Sequence, residues 1–208
     1  MANIGYMITK TLRDFGQDQF LLMEKNPPPG SDPINYDLSL DGKYPDWIIF
    51  YDKKKSSWKR DVITTMRDKQ FDLLHAHVEM PIFAYISRRP FLSHPQGSDL
   101  REMAFSNSLR GILLRRAYRK SKAMIFASPG PIPSLLKLKL KKNIFLPLVH
   151  NTSFFKPHSI ESKFNNKFVV FHPANLEWRL KGNQIFIKGF SEFVKKYPNS
   201  LLIIVDRG

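Results

Sequence analysis

The sequence contains no cysteine, which excludes disulfides, thiolate nucleophiles and cysteine-based zinc sites and is compatible with a reducing compartment. No apolar run approaches the roughly 18 residues that a membrane-crossing helix needs; Leu201–Val205 is typical of the longest. The N-terminus lacks the basic, apolar and small-residue order of a secretory signal, so the cytoplasm is the expected location. Also missing are a Walker A loop, a Gly-x-Ser-x-Gly elbow, a His-Glu-x-x-His pair and zinc-finger spacing, and with them the ATP-driven and common hydrolytic chemistries that depend on those motifs. Acidic residues are scarce: 18 against 33 Lys and Arg, a net charge of +15.

The scarcity is uneven. No acidic residue occurs between Glu102 and Glu161, an interval holding Arg110, Arg115, Arg116, Arg119, Lys120, Lys122, Lys137, Lys139, Lys141, Lys142 and Lys156. Such a field attracts phosphates, nucleic acid or an anionic bilayer surface, and a solvated basic surface is the plain alternative. No aromatic-basic RNA-binding pattern accompanies it, so nucleic acid is the weaker expectation. Within a predicted helix Arg101–Ser121, Leu109, Ile112, Leu113 and Ala117 share one side and basic residues surround the rest. A basic amphipathic helix can lie on anionic headgroups, which makes Arg110–Lys142 the candidate peripheral membrane contact; a core-facing helix with a solvated basic face is the other reading.

With 42% hydrophobic residues over 208 positions, the chain has the composition of a folded protein and the length for one large domain or one domain and part of another. Ile4, Met7, Ile8, Leu12 and Phe15 recur at spacings of three and four, predicting a helix with one apolar stripe that ends at Gly16. Gln19–Met23 predicts a strand, Asn26–Pro33 a Pro/Gly loop, and Trp58–Lys69 a helix with Val62, Met66 and Ile63 inward. Tyr44–Tyr51 stays unassigned. From there strands are predicted at Phe71–His75, Pro90–His94, Ala123–Ala127 and Ile144–Pro147, and helices at Pro81–Ser87, Arg101–Ser121 and Ser134–Lys142. This alternation argues for a largely parallel sheet covered on both faces, a Rossmann-like layer structure.

Residues 158–167 are polar and form the expected linker. After it come a strand at Phe168–Phe171, a helix marked by Phe186, Phe190, Phe193 or Val194, and Tyr197, a stop at Pro198, and a strand at Leu201–Val205. This is one right-handed βαβ unit. Alone it cannot bury both faces of its sheet, so the chain is expected to stop inside a second domain.

Two constellations carry candidate chemistry. Arg179-Leu-Lys181-Gly182-Asn183 follows a strand and heads a helix; backbone N–H groups, the positive helix end and the cations suit a diphosphate. A helix capped by Asn183 with solvated basic neighbours is the structural alternative. His75 and His77, two apart on a strand end, point to the same side and would suit a metal pair if a third ligand converged. The sequence specifies no third ligand, so no metal is expected and histidines satisfied beside a cleft are the preferred reading.

Several stretches in order resemble a known family. Lys181-Gly182, the helix around Phe190, Lys195-Lys-Tyr-Pro198 and Leu201–Val205 are similar to the start of the C-terminal domain of family 4 glycosyltransferases of the GT-B fold. Upstream, Phe71-Asp-Leu-Leu-His-Ala-His77 resembles a strand these enzymes carry before a short helix. His94-Pro-Gln-Gly-Ser-Asp99 resembles their His-Gly-Asp loop with two residues inserted, and Leu146–Pro157 resembles their Pro-Asn-Gly-Val-Asp stretch ending in Phe-x-Pro. The match spans roughly Phe71 to Gly208.

The resemblance implies an α/β chain of GT-B type with two Rossmann-like domains. Residues 1–157 are then an acceptor-side domain without its first strand, 158–167 the linker, and 168–208 the first βαβ unit of an incomplete nucleotide-sugar-binding domain, both ends of the full protein lying outside the sequence. It implies a nucleoside diphosphate sugar as donor substrate, no prosthetic group, and a hydroxyl acceptor on a polysaccharide or lipid-linked glycan. Lys181 and Gly182 would hold the donor diphosphate, stabilising the charge that grows on the leaving group. Arg179 would replace the family's arginine, whose aligned positions are Asn175 and Leu176 here. His94 would sit beside sugar and acceptor, with Asp99 and Arg101 shaping its loop, so His94 and Asp99 are the candidate catalytic pair of a reaction without a protein-bound metal. Two other readings stand: a basic binding protein without enzymatic activity, and an inactive fragment.

Overall fold

A computed structural model of the chain describes residues 4–28, 31–35, 37–140, 142–147, 164, 166–173 and 182–205. The chain is an α/β protein of two compact units, Met1–His150 and Asn151–Gly208, and every described strand pair is parallel. No described helix is long and apolar enough to cross a membrane.

The first unit opens on α1 (Ile4–Asp14), followed by β1 (Leu21–Glu24) and β2 (Ile48–Tyr51), which pair with each other in a two-stranded sheet. Next come α2 (Trp58–Arg67), β3 (Leu74–His77), α3 (Met80–Ser87), β4 (Phe91–His94), a short α4 (Ser98–Arg101), α5 (Leu109–Lys120), β5 (Ala123–Phe126), α6 (Ile132–Leu138) and β6 (Asn143–Phe145). The last four strands form a second sheet in the order β3-β4-β5-β6. All four residues of β5 are buried, as a strand covered on both faces requires, whereas β6 is exposed throughout and forms the outer edge.

One apolar cluster ties both sheets into this unit. Tyr51 of β2, Val62 and Met66 of α2, Ala76 of β3 and Phe91 of β4 belong to it. Val62 and Met66 lie four residues apart, on one face of their helix, as their spacing predicts.

Several expected boundaries move, each for a local reason. β3 starts at Leu74 rather than Phe71. The expected helix Arg101–Ser121 is broken: α4 and a 3-10 turn at Met103–Phe105 come first, and α5 restarts where the Ser108 side chain accepts from Gly111 N. The buried face of α5 is Gly111, Leu114, Ala117 and Tyr118, while Leu109 is 73% exposed. A close approach sets that face, because a Cβ at Gly111 would collide with Ser106 Oγ and lie 2.6 Å from Met103 O. Likewise α6 ends at Leu138, not Lys142, because Lys139 turns into the left-handed region at φ 53°.

The expected helix at the N-terminus is α1, and its apolar stripe is only partly covered. Only Tyr6 and Thr9 are buried. Tyr6 donates to Asp37 Oδ2 at 2.7 Å and stacks on Trp47. Phe15 is 78% exposed, and Ile4, Ile8 and Leu12 line an open cleft of about 400 Å³ that separates β1 from β3.

The second unit holds β7 (Phe168–His172), α7 (Asn183–Lys196) and β8 (Ser200–Ile204). β7 and β8 pair in parallel with Phe168 opposite Ser200, and α7 is the crossover such a pair needs. Phe186 of α7 stacks on His172 with centroids 4.2 Å apart. Phe168 and Phe171 remain largely exposed. Of the expected linker, residues 158–163 and 165 lie outside the described residues.

Candidate functional site at the carboxyl ends of β3 and β4

In an open parallel sheet, ligands bind in the crevice outside the carboxyl ends of the strands. β3 and β4 end there in histidines. The parallel register sets His77 beside His94 and His75 beside Leu92, and alternation along β3 turns His75 and His77 to one side. His75 Nε2 lies 3.1 Å from His94 Nδ1 with the rings stacked at 6°, and His77 lies with ring centroids 4.4 Å from His75 and 4.9 Å from His94. The third histidine that the sequence did not specify is therefore His94, delivered by the neighbouring strand.

Burial decides the charge of this cluster. Desolvation lowers the His75 pKa from 6.5 to about 4, with the nearby His94 adding to the shift. Burial likewise pushes His77 well below its ordinary value, His75 and His94 adding to it. Burial lowers His94 as well, while the negative charge of Asp99 opposes the shift. All three rings are neutral at neutral pH, the form that can accept a proton or ligate a metal.

One buried ring nitrogen of the cluster lacks a partner among the described residues. Gln96 Nε2 donates to His77 Nδ1 at 3.1 Å, and His75 Nε2 and His94 Nδ1 hold one proton between them. His94 is 2% exposed, and its Nε2 has no hydrogen-bond partner among the described residues.

Asp99 builds the loop that carries His94. It is 2% exposed, and its oxygens accept from Gln96 N at 3.1 Å, Gly97 N at 2.7 Å and Tyr118 Oη at 3.1 Å. Gly97 sits at φ 153°, a conformation that favours glycine. Burial first, then the Asp99 charge and hydrogen bond, pushes the Tyr118 pKa far up, so Tyr118 acts only as a donor. Asp99 thus positions the loop, with its lone pairs committed inside the protein. Arg101, the last residue of α4, is exposed.

The ligand atoms of His75, His77 and His94 all lie within 4.8 Å of one another, the one such group found among the described residues. Holding a divalent cation through His75 Nε2 or His94 Nδ1 would mean giving up the His75–His94 hydrogen bond, because a ligating nitrogen must offer its lone pair.

In the second unit, Gly182 is the N-cap of α7 at φ 69°, and a Cβ there meets nothing within 4 Å. Asn183 is not the cap: it is buried, and its Oδ1 accepts from His172 Nε2 at 2.6 Å. Arg179 and Lys181 lie outside the described residues. His172, Gln96 and Tyr118 are site residues that sequence reasoning missed. His172 carries a signal in hindsight, ending its strand just as His77 and His94 end theirs.

The cations of the acid-free interval fall into two groups. Arg110 pairs with Glu79, Arg115 donates to Ala104 O and Ser106 O, and Lys137 lies over the Phe105 ring. Arg119, Lys122, Lys139 and Lys142 instead line one groove of about 420 Å³ with Tyr118 and Ser121. Lys122 and Lys142 directly precede β5 and β6, so this groove opens at the amino ends of the strands, away from the histidines.

Compared with known proteins, the sequence matches no family model and no curated protein.

Proposed function

We propose that the chain is a glycosyltransferase of GT-B type, moving a sugar from a nucleoside diphosphate to a hydroxyl acceptor, with His94 meeting the reacting sugar or hydroxyl. The buried, unanswered Nε2 of His94 carries this reading. Leaving a buried polar atom unpaired costs about 1–3 kcal/mol, and a catalytic role is one explanation for such a group. A neutral imidazole at the carboxyl end of a parallel strand can accept the proton of an attacking hydroxyl or hydrogen-bond a sugar hydroxyl. The loop holding it is the His94-Pro-Gln-Gly-Ser-Asp99 stretch of the family resemblance, stiffened by Asp99 and Tyr118.

The second unit supports the donor side. Gly182 at φ 69° opens a 14-residue helix whose first N–H groups and positive end favour a diphosphate. Lys181 stands next to it in sequence, and Arg179 two residues before that. In this reading the first unit is the acceptor-side domain. The groove of Arg119, Lys122, Lys139 and Lys142 suits anionic headgroups, and a cytoplasmic, membrane-peripheral enzyme follows.

Thermal unfolding of the intact chain with millimolar uridine or guanosine diphosphate sugars tests the proposal. A rise in Tm with at least one donor, lost in Lys181→Ala, is expected. Unchanged melting with every donor overturns it.

A further inference from the structure

The carboxyl ends of β3 and β4 bring three imidazole rings to one place. Their centroids form a triangle with sides of 4.4, 4.9 and 5.2 Å. Along the longest side, His75 Nε2 and His94 Nδ1 are 3.1 Å apart. Two imidazoles on one zinc ion, each at about 2.0–2.1 Å in a tetrahedron, hold their nitrogens about 3.3 Å apart. That edge of the triangle therefore has nearly the length that coordination sets. Ligand atoms of all three rings lie within 4.8 Å of one another, and turning the rings toward the middle of the triangle shortens the longest separation.

The chemistry of the set selects the ion. The chain has no cysteine, and Asp99, the anion acting on His94, commits its oxygens to Gln96 N, Gly97 N and Tyr118 Oη. What converges is nitrogen alone. Imidazoles suit zinc and its transition-metal neighbours, whereas magnesium and calcium call for oxygen ligands. The nearby charge of Asp99 favours a cation at the rings.

Gln96 supplies the outer contact that ligating histidines ordinarily have. Its side-chain amide lies 3.1 Å from His77 Nδ1. Turning that amide over leaves its shape unchanged and presents Oε1 to an Nδ1–H, so that Nε2 is the nitrogen with which His77 ligates. His75, His77 and Gln96 also line the open cleft beside β1, which gives an ion its way in.

We propose that His75 Nε2, His77 Nε2 and His94 Nδ1 bind one zinc ion, with a fourth position open to the cleft. Three protein ligands and an open position are the pattern of catalytic zinc sites, structural ones being closed by four. The ion takes the place of the one hydrogen bond between His75 and His94, sitting off the line of those two nitrogens on the side of His77. His94 Nε2 then carries the hydrogen of its ring and can only donate. The site goes beyond the transferase reading, which calls for no protein-bound metal.

The test titrates the untagged full chain, first stripped with a chelator, with zinc sulfate and in parallel with cobalt chloride. One zinc ion per chain should bind at micromolar concentration and raise Tm, magnesium should do neither, and cobalt should take on the strong visible absorption of a four-coordinate site. Gln96→Ala should weaken zinc binding about 10–100-fold, and Gln96→Glu, which keeps an acceptor for His77 Nδ1, should restore it. His77→Asn should weaken it further. Should a variant fail to fold, nitrogen-15 spectra of the unaltered chain decide. Zinc should shift the side-chain nitrogens of His75, His77 and His94 and leave His150, His158 and His172 in place. Shifts confined to the latter three overturn the inference, as do full affinity in His77→Asn and no binding at millimolar zinc. No nucleotide sugar enters this experiment, so its failure leaves the transferase reading to its own test.

Discussion

His75 Nε2 lies 3.1 Å from His94 Nδ1, so two neighbouring strands meet at their carboxyl ends through a hydrogen bond between neutral rings. One proton serves both nitrogens. The pair therefore couples the two tautomers, and with them the state of the buried His94 Nε2. If His75 donates, His94 Nε2 carries a hydrogen and can only give it; if His94 donates, its Nε2 is a bare lone pair, ready to accept from a hydroxyl.

Acid should loosen the first unit. The folded pKa of His75, about 4, lies below its ordinary 6.5, so between these values the unfolded chain binds more protons and stability rises with pH. The contribution is fully present above pH 6.5 and is lost as pH falls toward 4, by about 3 kcal/mol for His75 alone. His77 and His94 shift in the same direction, Asp99 opposing the shift of His94. Denaturant unfolding across this range should show the slope, and His75→Asn should flatten it. An equal slope in that variant would contradict the assignment.

Much of this was legible in sequence, and the misses have causes. The strand–helix alternation gave the parallel α/β class, and Val62 and Met66 face inward as their spacing implies. The β3–β4 register was not legible, because nothing local says that residue 77 will lie beside residue 94; hence His94 as the third ring went unseen. The buried face of α5 was misassigned because a glycine against the Ser106 backbone sets it, and hydropathy gives glycine little weight. The helix with one apolar stripe was legible at the N-terminus. Of that stripe, Ile4, Ile8 and Leu12 line the cleft beside β1.

Gly111→Ala should destabilise the first unit by about 1–3 kcal/mol through overpacking. The new Cβ would meet Met103 O and Ser106 O, each at 2.6 Å. Those are backbone atoms that cannot swing aside. Urea unfolding measures the loss, and Gly189→Ala, where a Cβ meets nothing within 4 Å, should be neutral or stabilising.

Asp99→Asn should lower stability by about 1–3 kcal/mol, because one acceptor oxygen cannot answer Gln96 N, Gly97 N and Tyr118 Oη together. A purely structural role ends there. Asp99 also opposes the downward shift of the His94 pKa, so the same variant should lower the His94 pKa further in an NMR titration. An unchanged or raised value would contradict the electrostatic link.

The basic groove should bind vesicles containing phosphatidylglycerol and ignore neutral phosphatidylcholine vesicles. Lys122→Ala and Lys142→Ala should each weaken binding by about 1 kcal/mol, and raised salt should weaken it further. Equal binding to both vesicle types would remove the groove as a membrane contact.

The central claim is that His94 Nε2 meets a sugar substrate. Nitrogen-15 NMR of the histidine side chains, recorded while the intact chain is titrated with uridine and guanosine diphosphate sugars, reads that atom directly. The account predicts that one donor moves the His94 Nε2 resonance and that Lys181→Ala abolishes the movement. His94 resonances that stay fixed through millimolar additions of every donor would contradict it.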